Sequence, residues 1–306
     1  VSVSLDNDNL LVGAYRNGFD LKNKNYIEFA GSAYFFSKNS AGIWEQKQKL
    51  IAAKRTAQSF LGYSVSLNGN QAIIGAQEHN LDVNNANELL GSGAAYFFEL
   101  ENGIWNEKQK VTAMDRQKDA FFGESVAISK DHAIIGSWGQ SLDIKGIHSN
   151  AMDTSGAAYL FTRNENGKWI QKSKLLHSDR HIGDQFGISV SIDQDYAVVG
   201  SWGYDATKDN DTLSWSGAAF AFANCKKPKL DISASSEFIV NGEDVILSVK
   251  GADTVYWKNN IENNISFRPD KTMTYIAFGR NNDGCYTQDS IEVVVKPKEV
   301  SEMKVK

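Results

Sequence analysis

A block of about sixty residues recurs four times along this chain of 306. Each copy is anchored on the valine of a Ser-Val-Ser-Leu-like segment, at Val3, Val65, Val126 and Val190, so the spacing is 61 to 64 residues. Ten residues after each anchor stands a glycine: Gly13, Gly75, Gly136 and Gly200. A second glycine, at Gly31, Gly93, Gly156 and Gly217, opens an apolar run of the type Gly-Ala-Ala-Tyr-Phe-Phe. Trp44, Trp105 and Trp169 come next, and Lys49-Leu50, Lys110-Val111 and Lys174-Leu175 close the unit. A unit this small cannot bury its own apolar surface, so copies must stack on one another.

Each piece reads as a strand. Ser64-Val65-Ser66-Leu67 alternates polar and apolar, Asn68-Gly69 signals a tight hairpin, and Ala72-Ile73-Ile74 returns from it. Gly93-Ala94-Ala95 lets neighbouring backbone come close, while Tyr96-Phe97-Phe98 fills space between sheets. Asn102-Gly103 then turns the chain into a fourth strand at Trp105. Four antiparallel strands in such a span, apolar on both faces, predict one blade of a β-propeller. The expected fold is therefore all-β: four blades, forming part or all of a propeller over residues 1–224.

The pattern Phe-Gly-x-Ser-Val, then Gly-Ala, then Gly-Ala-Ala-Tyr resembles the FG-GAP repeat of integrin-α-type β-propellers, in particular its bacterial form. Phe122-Gly123, Phe186-Gly187 and Leu61-Gly62 carry the first element, and Gly13-Ala14 and Gly75-Ala76 the second, with Gly136-Ser137 and Gly200-Ser201 as variants. The resemblance covers residues 1 to about 223. The proline expected after Gly-Ala is replaced by Tyr15, Gln77, Trp138 and Trp202. The Asp-x-Asp-x-Asp-Gly calcium loop of many relatives gives way to short turns such as Asn68-Gly69-Asn70 and Asp193-Gln194-Asp195. No cofactor is expected, and calcium only outside that usual loop. The resemblance implies an extracellular, secreted or surface-associated bacterial protein. It also implies more blades than four, with the missing outer strand of the fourth preceding Val1.

Beyond Asn224 the texture changes. All three prolines lie there, and seven short strand signals between Leu230 and Val295 predict a small antiparallel sandwich over 225–297, with Trp257 in its core. It resembles the immunoglobulin-like modules of bacterial surface proteins. Residues 298–306 read as a charged tail. Cys225 and Cys285 flank the sandwich and are candidates for a disulfide that staples a small domain. The net charge of −5 and the scattered basic residues argue against nucleic acid. No apolar stretch reaches the length of a membrane span.

Catalytic signals are weak. Ser64, Ser125 and Ser189 sit in Gly-x-Ser elements, but a serine repeated in every blade is structural, whereas a nucleophile is unique. His177 and His181, four apart, read as surface-loop histidines. Asp20, Asp82 and Asp143 each lie seven residues after a blade glycine, in the long loop between strands two and three. They are weak metal candidates, and each could equally anchor an Asx-turn. The aromatic series is the best ligand-binding candidate: Tyr15, Trp138 and Trp202 occupy one repeat position, and Trp215 ends the fourth loop. Equivalent loops emerge on one face, where Trp and Tyr suit a protein hot spot or sugar stacking. Packing beneath each ring's own loop is the alternative.

These features predict a non-catalytic recognition or adhesion module that binds a protein or glycan partner through its propeller loops. Two other readings stay open: an architectural piece of a surface or secretion complex, or part of a secreted enzyme acting on polysaccharide.

Overall fold

The repeat is realised as successive four-stranded antiparallel sheets in a computed structural model. The model describes residues 2–148, 152–208, 211–223, 227–258, 261–282 and 285–298. Two units divide the chain at Phe222/Ala223. In the first, one blade comprises β1 (Val3–Asp6), β2 (Asn9–Gly13), β3 (Ala33–Lys38) and β4 (Trp44–Leu50). The second comprises β5 (Val65–Asn68), β6 (Gln71–Ala76), β7 (Ala94–Glu101) and β8 (Ile104–Val111). The third comprises β9 (Val126–Ser129), β10 (His132–Ser137), β11 (Ala157–Arg163) and β12 (Trp169–Leu175).

The fourth sheet holds three strands, β13 (Phe186–Asp193), β14 (Tyr196–Ser201) and β17 (Ala218–Ala223). Its long loop carries a hairpin of its own, β15 (Ala206–Lys208) with β16 (Asp211–Leu213), which the sequence did not suggest. No helix among the described residues is long and apolar enough to cross a membrane.

The repeated residues explain how one sheet is held to the next. Ser2 Oγ accepts from Val65 N at 3.1 Å and Ser4 Oγ from Leu67 N at 2.9 Å. One blade on, Ser66 Oγ accepts from Ile128 N at 3.1 Å. The alternating serines thus satisfy edge N–H groups of the next blade's first strand, which would otherwise lack partners. Ser64 and Ser125 donate to the carbonyls of Gly123 and Gly187 at 2.8 and 2.9 Å. On the outer strands, Gln48 exchanges two hydrogen bonds with the backbone of Trp105, and Gln109 does the same with Trp169.

Glycines make the contacts closest. A Cβ on Gly75 would lie 2.0 Å from Gly123 O, and one on Gly136 would lie 1.9 Å from Gly187 O, so the two glycines of the motif touch across the blade boundary.

Between blades the faces are apolar. Phe97, Ala95 and Ile73 of the second blade pack with Val126, Ile135, Tyr159 and Phe161 of the third. Phe122 and Phe186, both fully buried, plug the boundaries. The end sheets each keep one open face. Val3 and Leu5 are 63% and 65% exposed, against 6% for their equivalents Val65 and Leu67, and Val198 is 45% exposed where Ile73 and Ile134 are fully buried.

In the second unit, β18 (Asp231–Ala234), β20 (Val245–Lys250) and β22 (Ser266–Phe267) form one sheet. The other contains β19 (Phe238–Val240), β21 (Thr254–Trp257), β23 (Met273–Arg280) and β24 (Tyr286–Lys296). Val245, Leu247, Ala277 and Val293 are fully buried in the core, and Trp257 is nearly so, its indole N–H donating to Asn263 Oδ1 at 3.2 Å. One pairing departs from the antiparallel expectation: β19 runs parallel to β24. Cys285 is buried and disulfide-bonded, while Cys225 lies outside the described residues.

An aromatic cleft on the loop face as candidate functional site

The long loops between second and third strands are held by a repeated scaffold. Asp20 Oδ1 accepts from the N–H groups of Lys22 and Lys24, both at 2.8 Å, and Oδ2 from Asn25 at 2.7 Å. Asp82 repeats this with Asn84, Ala86 and Asn87, and Asp143 with the N–H groups of Lys145 and Ile147. Each carboxyl is held below its usual range, chiefly by the backbone N–H four residues on. The three aspartates therefore sit in Asx-turns, one per loop. Among the described residues, no group of three or more His, Cys, Asp or Glu is placed to hold a metal ion.

The lysine of the closing motif braces the same loops from beneath. Lys49 Nζ donates to the carbonyls of Phe19 and Asp20, and Lys174 Nζ to those of Leu142 and Asp143 as well as to Asp115. Arg55 and Arg116 each tie two further loop carbonyls. Fixed loops of this kind present side chains with little entropy left to lose on binding.

What they present is an aromatic cleft of about 530 Å³, lined by residues of the second, third and fourth blades including Tyr63, Gln77, Phe121, Trp138 and Trp202. Trp138 and Trp202 thus stand on one face, in one hollow. Tyr15 continues the surface, edge-on to Phe60 and Tyr63 at 5.6 and 5.3 Å, and Trp215 meets Trp202 edge-on at 5.8 Å. Larger hollows lie elsewhere: one of about 630 Å³ in the second unit, beside Tyr256, Phe278 and Tyr286, and two in the repeat unit, of about 710 and 640 Å³. The latter two are lined mainly by fourth-strand residues of neighbouring blades and the segments that follow them, such as Gln109 with Trp169 and Gln48 with Trp105. Those are seams of the repeat, formed wherever two blades meet.

The cleft is built from departures from the repeat. Glu124 occupies the x of Phe-Gly-x-Ser, where the other copies have Tyr63 and Ile188. Trp138 and Tyr63 lie beside it and pull its pKa down, and Gln77 does the same to Tyr63. Trp138 lies flat on Phe121, 4.7 Å between centroids and 9° between planes. The indole N–H of Trp202 donates to Gln185 Oε1. Burial pushes the Glu124 carboxyl up to about 7 against the pull of Trp138 and Tyr63, with Glu78 adding repulsion. Glu78 is itself raised, by burial first and Asp119 second. Among the described residues, no Lys or Arg lines the cleft. Spacing alone did not reveal Glu124 or Glu78. The available signal was that Glu124 breaks a repeat position.

A stability consequence follows. The folded Glu124 carboxyl titrates near 7 and the unfolded one near the ordinary glutamate value of 4.5, so stability falls as pH rises from about 4.5 to 7 and levels off above. Glu124→Gln keeps an amide oxygen beside Trp138 and Tyr63 without the charge. After a discount for its partial exposure, the variant should be more stable by about 1–2 kcal/mol at pH 8 and unchanged at pH 4. Denaturant unfolding at the two pH values checks this, and equal differences at both would refute the assignment.

One of the two paired histidines differs from expectation. His177 is buried and not on the surface: it packs on Phe220 at 4.8 Å and lies 3.1 Å from Asp184. His181 is exposed, as a loop histidine should be.

No curated protein matches the chain. The FG-GAP repeat family matches it three times, over residues 44–98, 105–161 and 169–222, together more than half its length. Each match runs from the outer strand of one blade through the three inner strands of the next. The first three strands of the first blade, β1 to β3, fall outside the matches. With the in-phase glycines touching across every blade boundary from Gly13 to Gly187, the chain belongs to the FG-GAP repeat family.

Proposed function

We propose that this protein is a non-catalytic recognition module that engages a protein or glycan partner at the loop face of its propeller. The observation that carries this reading is the shared cleft of Trp138 and Trp202. Both rings interrupt the proline position of the motif, and Trp202 is 58% exposed although the fold offers apolar interiors nearby. Large rigid aromatics in a pre-formed hollow lose little entropy on binding and bury much area when covered. An extracellular, surface-associated setting in a bacterium fits this reading, with the second unit serving as an immunoglobulin-like spacer. The Asx-bound aspartates support recognition without a metal, since hydrogen bonds within each loop already engage both oxygens of Asp20 and Asp82.

Trp202→Ala should weaken partner binding at least tenfold and leave the melting temperature within about 2 °C, because the ring contributes little to the core. Parallel binding and melting measurements check it. Unchanged binding to a defined partner would move the site elsewhere. Turnover of that partner by the wild-type chain would overturn the non-catalytic reading, since Glu124 and Glu78 are a carboxyl pair contributed by different blades.

A further inference from the structure

We infer that the ligand of this cleft is a neutral glycan, whose pyranose faces stack on Trp138 and Trp202 while its hydroxyls meet Glu124, Glu78 and Gln77. The inference rests on the recognition reading above and narrows it to one ligand class.

The first ground is what the indoles have left to offer. The Trp202 N–H is committed to Gln185, and Trp138 sits beside the Glu124 carboxyl and pulls its pKa down, so neither indole depends on a hydrogen-bonding partner from outside. Each ring is also oriented from within, Trp138 by the flat stack on Phe121 and Trp202 by its edge contact with Trp215. What remains on offer is flat apolar ring surface at a fixed angle. The axial C–H face of a pyranose is rigid, flat and weakly positive, and it complements the negative face of an aromatic ring.

The second ground is the polar inventory beside the rings. A carboxyl that titrates near neutrality is donor and acceptor in turn, and Gln77 and Gln185 each carry both functions. Sugar hydroxyls are donor and acceptor at once, so a floor of mixed groups suits them. The third ground is charge. Glu78 and Glu124 face the hollow and, among the described residues, no Lys or Arg lines it, so a sulfated or uronic polysaccharide would bring like charge against them. A hollow of about 530 Å³ lies within the usual range for small-ligand sites, and it suits a short run of sugar units better than a broad protein surface.

The fourth ground is the repeat itself. Blade equivalents of Glu124 are Tyr63 and Ile188, and the blade equivalent of Trp138 and Trp202 in the second copy is Gln77, so stacking blades does not require these residues.

The test uses the whole chain against immobilised neutral polysaccharides (β-glucan, mannan, xylan, galactan and chitin oligosaccharides). Alginate and a sulfated glycan serve as anionic counterparts. Titration followed by tryptophan fluorescence should show saturable binding to at least one neutral polymer. Trp138→Ala and Trp202→Ala should each weaken it at least tenfold, and the anionic polymers should bind at least tenfold more weakly. Two results would overturn the inference. If no neutral polymer binds and a purified protein partner does, with loss of affinity in Trp202→Ala, the glycan falls and the recognition reading stands. If neither class binds at this face, both fall.

Discussion

Gly123→Ala is expected to lower the stability of the repeat unit by about 4 kcal/mol, a drop of roughly 10 °C in melting temperature for a unit of this size. Gly123 has φ +95°, and a Cβ there would stand 2.3 Å from Ala94 O and 3.1 Å from Ala76 N. Both atoms are backbone of the preceding blade, so they cannot turn aside as a side chain would. The clash must instead push back the dipeptide Phe122-Gly123. That displacement withdraws Phe122, fully buried, from its edge contacts with Tyr159 at 5.4 Å and Phe161 at 6.1 Å.

Gly103→Ala supplies the control. It also has a positive φ, +80°, but nothing lies within 4 Å of its would-be Cβ, so only the left-handed backbone is penalised, at about 1 kcal/mol. The difference between the two variants isolates close approach from conformational preference. Equal costs in denaturant unfolding would mean that the blade boundary yields, and that the paired glycines are there for their dihedrals alone.

That boundary shows which parts of the fold were readable in the text. Glycine phase, serine alternation and the closing lysine all recur because every blade meets the next in the same way, so repetition itself exposed them. Features that depend on a residue having a neighbour were not readable. Trp105 is buried because Phe35 of the previous blade meets it at 5.3 Å and Gln48 holds its backbone. Trp44 has the same place in the repeat but no earlier sheet among the described residues to cover it, and it is 37% exposed beside Lys38. His177 is buried because it falls where the earlier copies have Ala52 and Ala113, which are core positions.

The site was half visible. Position relative to the blade glycine put Tyr15, Trp138 and Trp202 on one face. Glu124 and Glu78 come from different copies, and only the packing of one blade on the next brings them into one hollow.

The same comparison of copies yields the second large effect, an acid-sensitive blade that a single substitution should cure. Asn17, His79, Gln140 and Tyr204 share one repeat position, four residues after the blade glycine. In the first and third blades the amide meets the tyrosine of the third strand: Asn17 Nδ2 lies 2.5 Å from Tyr34 OH, and Gln140 Nε2 lies 2.8 Å from Tyr159 OH. In the second blade a fully buried imidazole takes that place. Lys110 Nζ, 3.3 Å away, can only donate, so Nε2 accepts and the ring proton sits on Nδ1, facing Thr56 Oγ1 at 3.2 Å and Ser59 Oγ at 3.0 Å.

Burial first, then the charges of Lys110 and Arg116, push the His79 pKa down to about 3. The unfolded chain takes up this proton near 6.5 while the folded one does not, so the contribution is intact above 6.5 and is lost as pH falls towards 3. At pH 4.5 the loss amounts to about 2.5 kcal/mol.

His79→Gln installs the group that the third blade already uses and has no proton to take up. Its unfolding free energy should match wild type within about 1 kcal/mol at pH 7.5, then exceed it by about 2 kcal/mol at pH 4.5. Acidic side chains common to both proteins cancel in that comparison. Curves that fall in parallel between the two pH values would show that the imidazole is protonated in the fold, and that Lys110 and Arg116 have moved away to let it be.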